Sequence, residues 1–442
     1  MISKKTIERV LILLTIIVGS LVIGIMVFNK IRVLDYSPMN GDFQTYNMVR
    51  RLFNGQIPFR DFFPYLGLGP LYLNSIICIL TGNGLFRMSL ISTLIMSAIS
   101  FVVILYTILR VFEIKKHISL LIPILFISLM HIVTSNSGIV YETTTFLKKI
   151  LYPGNSIRTH RAVVLFLCVL IFRIIFKNID FKKFRIKDFK YEYVIICGFI
   201  LGIFGCWSND YGIPIIFASI FLFIVLLFEL KKEFFIKLLI FIASEIVSIF
   251  TIISIVTLGN FKNWVYYNFK GVANDQFWYF SPYYEKKLIL WEFITDFRFK
   301  IMILAIVILI GILIAIWVNK DFRTKKNISI IFMLTVLVLS GYLYSRTNNN
   351  DGFNILQVFV FAYIIYLYIW ILMCITNMLI KKIYKNIDNI TTLIENTIFI
   401  MVYTTIVVLF ILNYQKLRIS YNTYVDKTNK VYINEIDRIC KC

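Results

Sequence analysis

The residues VLILLTIIVGSLVIGIMVF at positions 10–28 carry no charged side chain and are long enough to cross a bilayer as one helix. Lys4, Lys5 and Arg9 precede this stretch, and no small-residue cleavage site of a signal peptide follows it. We expect an uncleaved first span whose N-terminus faces the cytoplasm. Hydrophobic residues make up 59% of the 442-residue chain and charged residues 16%, against about 45–50% and about 25% in soluble domains. This composition predicts an all-α, polytopic protein of the cell membrane.

The net charge of +22 comes from Lys and Arg side chains that cluster in short gaps between apolar runs. This distribution follows the positive-inside rule, so we expect a lipid bilayer and not a nucleic acid as the partner of the positive charge. Five basic gaps are expected at the cytoplasmic face. They are residues 113–117, 177–192, 231–237, 319–327 and 381–386.

A cytoplasmic position for all five gaps predicts about eleven spans and a C-terminus on the outside. The expected spans are 8–28, 85–112, 118–134, 161–176, 193–208, 211–230, 238–258, 300–318, 328–344, 355–379 and 397–413. Residues 71–81 are apolar, but as an additional span they would move every later basic gap to the outside. The segment is also short for a crossing, so we interpret it as an interfacial or re-entrant helix.

This topology places residues 29–84, 135–160 and 259–299 outside. In the first of these segments, Asp42 opens a pattern in which Tyr46, Val49 and Phe53 recur at near-helical spacing. Gly55 is a suitable stop for that helix, and its pattern is that of an amphipathic helix on a membrane surface.

The order of motifs in this segment resembles the GT-C superfamily of membrane glycosyltransferases, including protein mannosyltransferases and aminoarabinose transferases of lipid A. The matching stretches are Asp42, residues 52–61, Gly69–Leu71 and Gly82. The resemblance covers residues 1–260, and it implies a core with the outer loop 29–84. Residues 261–442 would then add the rest of the loop 259–299 and variable C-terminal helices.

The resemblance implies transfer of a hexose or pentose from a polyprenyl phosphate to a glycan, lipid or protein acceptor outside the membrane, in cell-surface glycan assembly. A carboxylate can take the proton of the attacking hydroxyl, and Asp42 is the first candidate for this base. Capping of the surface helix is its alternative role. Asp61 and Glu142 are further catalytic candidates, although Asp61 could instead pair with Arg60 or Arg51. Glu142 does not lie in the setting usual for the superfamily.

Cationic side chains would hold the departing lipid phosphate, and arginine does so with two hydrogen bonds. The candidates are Arg158, Arg161 and Arg346, whose alternative role is contact with lipid headgroups. Related enzymes often carry Thr-Lys near the turn WSNDYG, residues 207–212. This chain lacks that lysine, which weakens the expectation of a phosphate site at the turn, and Asn and Gly favour turns in any case.

No cofactor is expected with certainty. The seven cysteines and three histidines show no zinc-ligand spacing, and carboxylates for a divalent metal are separated, so a metal is left open. Glu245 lies within a predicted span, where a partnered structural role is expected.

Two other functions stay open at the sequence level. A polysaccharide polymerase or ligase also acts on lipid-linked sugars, and the outer arginines are compatible with it. A lipid-linked sugar flippase or transporter would more often show internal repeats, and the sequence shows none.

Overall fold

The computed structural model describes residues 4–32, 42–133, 158–272, 297–345 and 355–368. Within these ranges the regular structure is helical and contains no strand. The helices are α1 Lys4–Arg32, α2 Asp42–Phe53, α3 Leu68–Thr81, α4 Phe86–Val111, α5 Lys116–Val133, α6 Arg158–Ile175, α7 Tyr191–Gly205, α8 Gly212–Leu227, α9 Lys232–Val256, α10 Phe261–Tyr266, α11 Phe297–Val318, α12 Lys325–Ser345 and α13 Ile355–Tyr368.

The helices support an all-α membrane protein. Five of them contain segments long and apolar enough to cross a bilayer. These are Glu8–Val27, Phe86–Val111, Lys232–Val256, Lys300–Val318 and Lys325–Leu343. Helices also lie at five more of the predicted spans, while the last predicted span, 397–413, lies outside the described residues. The count of eleven spans is therefore not confirmed.

The chain forms two compact units that alternate along the sequence. Among the described residues, the smaller unit comprises residues 4–32, 97–133 and 358–368, and the larger unit comprises residues 42–96, 158–272, 297–345 and 355–357. The division at residue 260 rests on the resemblance and not on compactness, so it stays a prediction. In the smaller unit, α1 packs on α5, with Val18 against Leu121 and Ile124. The Glu8 carboxylate lies 4.0 Å from Nδ1 of His117 in the same unit.

Small residues hold α7 against α9 in the larger unit. A Cβ atom at Gly198 would lie 2.6 Å from the Phe241 carbonyl oxygen, and one at Gly202 would lie 2.5 Å from that of Glu245. The Ser248 hydroxyl donates to the Phe199 carbonyl at 2.7 Å. Glycines four residues apart are typical of close helix contacts in membranes. This spacing was present in the sequence but was not used to predict the contact.

Glu245 lies in this tightly packed region and is almost fully buried. Its Oε1 atom accepts a hydrogen bond of 2.6 Å from the Ser219 hydroxyl of α8. The expectation that this carboxyl group has a structural partner is confirmed.

Helix α2 begins at Asp42 and ends at Phe53, as the sequence pattern predicted. Part of its apolar face packs on protein, because Tyr46 and Val49 are buried and Tyr46 donates to the Gly84 carbonyl at 3.0 Å. Met48 packs on Phe62 and Leu71. Phe53 is exposed, and the position of α2 on a membrane surface stays a prediction. The interfacial segment forms α3, which is 14 residues long, and its position relative to a membrane stays a prediction.

The larger unit has two chemically different ends, which α6 connects. We call one the basic end; it contains residues 177–190, 229–237 and 319–326. Lys237 Nζ lies 2.8 Å from the Ile186 carbonyl, and Lys182 Nζ lies 3.1 Å from Asp321 Oδ1. Three of the five predicted basic gaps thus lie together. We call the other the polar end; it contains residues 57–69, 158–161 and 206–211.

Candidate phosphate-binding site at the polar end

A buried ion pair forms the centre of the polar end. Arg161 Nη2, in the first turn of α6, lies 2.8 Å from Asp210 Oδ2, and each side chain is only 10% exposed. Arg158 lies one turn earlier, at the first residue of the same helix. Two cations therefore lie at the N-terminus of a helix, where backbone N–H groups already favour anions.

Hydrogen bonds fix the turn that carries Asp210 to the start of α6. The Trp207 indole donates to the His160 carbonyl at 2.6 Å. From α12, the Ser340 hydroxyl donates to the Asp210 carbonyl at 2.6 Å. Because the backbone on both sides of the ion pair is held, Arg161 and Asp210 are kept in register with each other.

The glycines of the sequence LGLGP let another chain segment approach this turn closely. Gly67 has a φ of 99°, and a Cβ atom there would lie 2.6 Å from the Trp207 carbonyl oxygen. A Cβ atom at Gly69 would lie 2.1 Å from the Trp207 ring, while the Gly69 N–H donates to the Trp207 carbonyl at 2.8 Å. Gly67 and Gly69 thus bring residues 67–69 against the turn next to Asp210.

Asp61 organises a tight exposed turn in the same segment. Its Oδ2 atom accepts from the Ile57 N–H at 2.7 Å and from Arg60 Nη2 at 2.9 Å. The Arg60 guanidinium first, and the Ile57 N–H second, hold the pKa of this carboxyl group below its usual range. Pairing with Arg60, the alternative considered for Asp61, is observed. A catalytic part for Asp61 stays a prediction.

Aromatic side chains lie beside this turn. Phe59 is fully buried with a φ of 62°, and Asn263 Nδ2 donates to its carbonyl at 2.9 Å. Phe63 stacks on Tyr267 with ring centroids 4.8 Å apart. The Phe63 side chain is partly exposed, so it offers an apolar face next to the polar end.

Comparisons with family models, curated proteins and solved structures found no match. The interpretation of the polar end therefore depends on its own residues.

The structure brings together some of the predicted site residues. Arg161 forms the ion pair with Asp210, and Arg158 lies one turn earlier on the same helix. Asp61 is bonded within its own turn, to Ile57 and Arg60, in the segment that leads to Gly67 and Gly69. Asp42 is the first residue of α2, but its side chain is outside what the structure describes. Glu142 and Arg346 both lie outside the described residues, so their proposed roles stay predictions.

Asp210 is the residue that sequence reasoning undervalued. The turn WSNDYG was expected as a polar turn and was noted for its missing lysine. The available signal was a carboxylate between two apolar helices, because such a charge is costly unless it is paired. Among the described residues no three His, Cys, Asp or Glu side chains gather into a possible metal site.

Proposed function

We propose that this protein is a membrane glycosyltransferase that takes a sugar from a polyprenyl phosphate at its polar end. The observation that carries the proposal is the contact between two features. The segment with the superfamily-like motif, through Gly67 and Gly69, lies against the turn that holds Asp210 next to Arg161. This contact supports the assignment of the motif segment and of Arg161 to one site.

Arg161 has the role of holding the phosphate leaving group. A guanidinium carries five N–H donors and can bind a carboxylate and a phosphate oxygen together. Asp210 fixes the orientation of Arg161, and Arg158 adds a second positive charge. Fixed cations stabilise the negative charge that accumulates on the phosphate as the sugar leaves.

Asp42 keeps the proposed role of general base toward the acceptor hydroxyl. Asp61 shapes the loop through its bond to the Ile57 N–H. The partly exposed ring of Phe63 offers a surface for a sugar or an isoprenoid chain, since aromatic faces bind apolar groups well.

Binding of polyprenyl phosphate to the purified full chain in lipid nanodiscs tests this site, because every such donor releases that group. The key variant is Arg161→Gln/Asp210→Asn, which removes both charges and leaves no buried charge without its partner. We expect polyprenyl phosphate to bind at least about tenfold more weakly, the scale of a hydrogen bond to a charged group.

Lys262→Gln is the control, because it removes an exposed cation of α10 that belongs neither to the ion pair nor to the motif segment. We expect it to bind as the wild type does. Unchanged binding by a correctly folded Arg161→Gln/Asp210→Asn protein would rule out the proposed phosphate site.

A further inference from the structure

The basic end of the larger unit contains a cavity that the proposed transfer reaction does not use. Its volume is about 130 Å³, and eight phenylalanines are among the residues that line it. The walls come from α6, α7, α8, α9 and α12 and from the loop that follows α6. Such a space is shaped for a hydrocarbon chain more than for a polar metabolite.

The aromatic rings around the cavity form a connected wall. Phe176 lies 6.1 Å from Phe189, Phe189 lies 6.0 Å from Phe223, and Phe223 lies 5.0 Å from Phe241, measured between ring centroids. Ser219 and Ser329 contribute hydroxyl groups to the wall, but these already donate, to Glu245 and to the Lys325 carbonyl. The interior therefore offers little to a polar ligand.

The charged residues in the described lining are both cationic. They are Arg173 in the last turn of α6 and Lys325 in the first turn of α12. Lys325 Nζ also donates to the carbonyl of Lys177, which joins α12 to the loop over the cavity. An apolar interior with cations and no carboxylate in its described lining is complementary to an amphiphile with an anionic headgroup.

The surrounding loops favour a phospholipid as the source of that headgroup. Residues 177–190 carry six Lys or Arg side chains and two Asp, so the positive-inside rule places this end in the cytoplasmic leaflet. Anionic phospholipids give that leaflet its negative surface potential, and basic pockets between helices bind their headgroups.

We propose that the cavity at the basic end binds an anionic phospholipid, with part of one acyl chain among the phenylalanines and the phosphate at Arg173 and Lys325. The bound lipid joins α6, α8 and α12 and stabilises their contact. This site lies at the other end of α6 from the donor site, so either proposal can fail without the other.

Native mass spectrometry of the full chain in a neutral detergent tests the proposal with phosphatidylglycerol and phosphatidylcholine as probes. The wild type should bind phosphatidylglycerol about tenfold more tightly than phosphatidylcholine. Equal binding of the two lipids would overturn the proposal, and this comparison needs no variant.

Two variants separate the contribution of the lipid headgroup to binding from the contribution of the acyl chain. Arg173→Gln/Lys325→Gln should lose about tenfold in phosphatidylglycerol binding, since each cation near a lipid phosphate contributes several-fold. The control Lys183→Gln/Lys187→Gln removes two exposed charges from the same loop and should change binding less than about twofold. Leu222→Trp fills the cavity and should weaken binding with both cations present, whereas Leu239→Trp on the exposed face of α9 should not.

Competition experiments show which kind of anionic molecule the cavity binds. Inorganic phosphate should not displace phosphatidylglycerol, and complete displacement would show a simple anion site and overturn the proposal. Polyprenyl phosphate displacing it at lower concentration would assign the cavity to the carrier lipid and also overturn the phospholipid assignment. If binding in Arg173→Gln/Lys325→Gln and in Leu222→Trp both stayed at the wild-type level, the cavity would not be the site.

Discussion

The two ends of the larger unit use charge in opposite ways. At the polar end, few charges are present and the central pair is buried, with Arg161 and Asp210 each 10% exposed. At the basic end, charges are numerous and most are exposed; Lys237 is buried, whereas the Lys182–Asp321 pair has side chains that are 46% and 74% exposed. Buried charges are costly unless geometry fixes them, whereas exposed pairs contribute little. The buried central pair is therefore found where a reaction is proposed, and abundant exposed charge where lipid contact is proposed.

The largest expected effect concerns the side of the membrane on which each end lies, because labelling by an impermeant reagent is close to all or none. We expect Lys183→Cys at the basic end to react with a membrane-impermeant thiol reagent only after cells are opened. Asn83→Cys should react in intact cells, since residues 71–81 are predicted not to cross the membrane. The wild-type protein, with its native cysteines, gives the background. Labelling of Lys183→Cys from outside would reverse the assignment of the two ends.

Removal of one acidic residue at each end compares the two ion pairs directly. Asp210→Ala leaves Arg161 buried without its carboxylate and should cost about 3–5 kcal/mol of unfolding free energy. Asp321→Ala breaks an exposed pair and should cost about 0–1 kcal/mol. Thermal unfolding of both variants in the same detergent measures the difference. Equal shifts in Tm would remove the distinction between the ends.

The pH dependence of the turn at Asp61 gives the smallest effect. The folded-state pKa of Asp61 lies below its ordinary value, so the pair with Arg60 stabilises the turn above the unfolded pKa of about 3.9. This contribution disappears as the pH falls through the folded pKa. Hydrogen exchange at the Ile57 amide, corrected for the intrinsic rate, should therefore accelerate in acid. In Asp61→Asn the corrected rate should not vary with pH; an identical profile in both proteins would show that Asp61 does not hold the turn.

The sequence predicted helices well where one physical signal dominates. The apolar runs gave the positions of α1, α4 and α9, and Asp42 with Gly55 gave the bounds of α2. The site was harder, because Arg161 and Asp210 are far apart in the chain and meet only through packing. The glycine motif around Gly69 resembles a superfamily motif, but in the fold its role is to let the backbone approach Trp207 closely, since a Cβ atom there would clash with the ring. No local pattern identifies that partner.

The cavity at the basic end could not be predicted from periodicity. Phenylalanines are plentiful throughout this chain, so those lining the cavity do not stand out in the sequence. Their grouping depends on the loop after α6 folding back over α8 and α12, which local propensity does not specify.

Transfer of labelled sugar from polyprenyl phosphate donors tests the central claim most directly, measured in membranes that contain equal amounts of wild-type and Asp42→Asn protein. Asn caps a helix about as well as Asp, so a purely structural role predicts nearly normal transfer. A general base predicts a normally inserted protein with transfer slowed by roughly 10²–10⁴-fold. We expect wild-type membranes to exceed membranes without the protein, and Asp42→Asn to lose most of that excess. No excess transfer by the wild type from any polyprenyl phosphate sugar would contradict the enzyme assignment, and undiminished transfer by Asp42→Asn would contradict the role of Asp42.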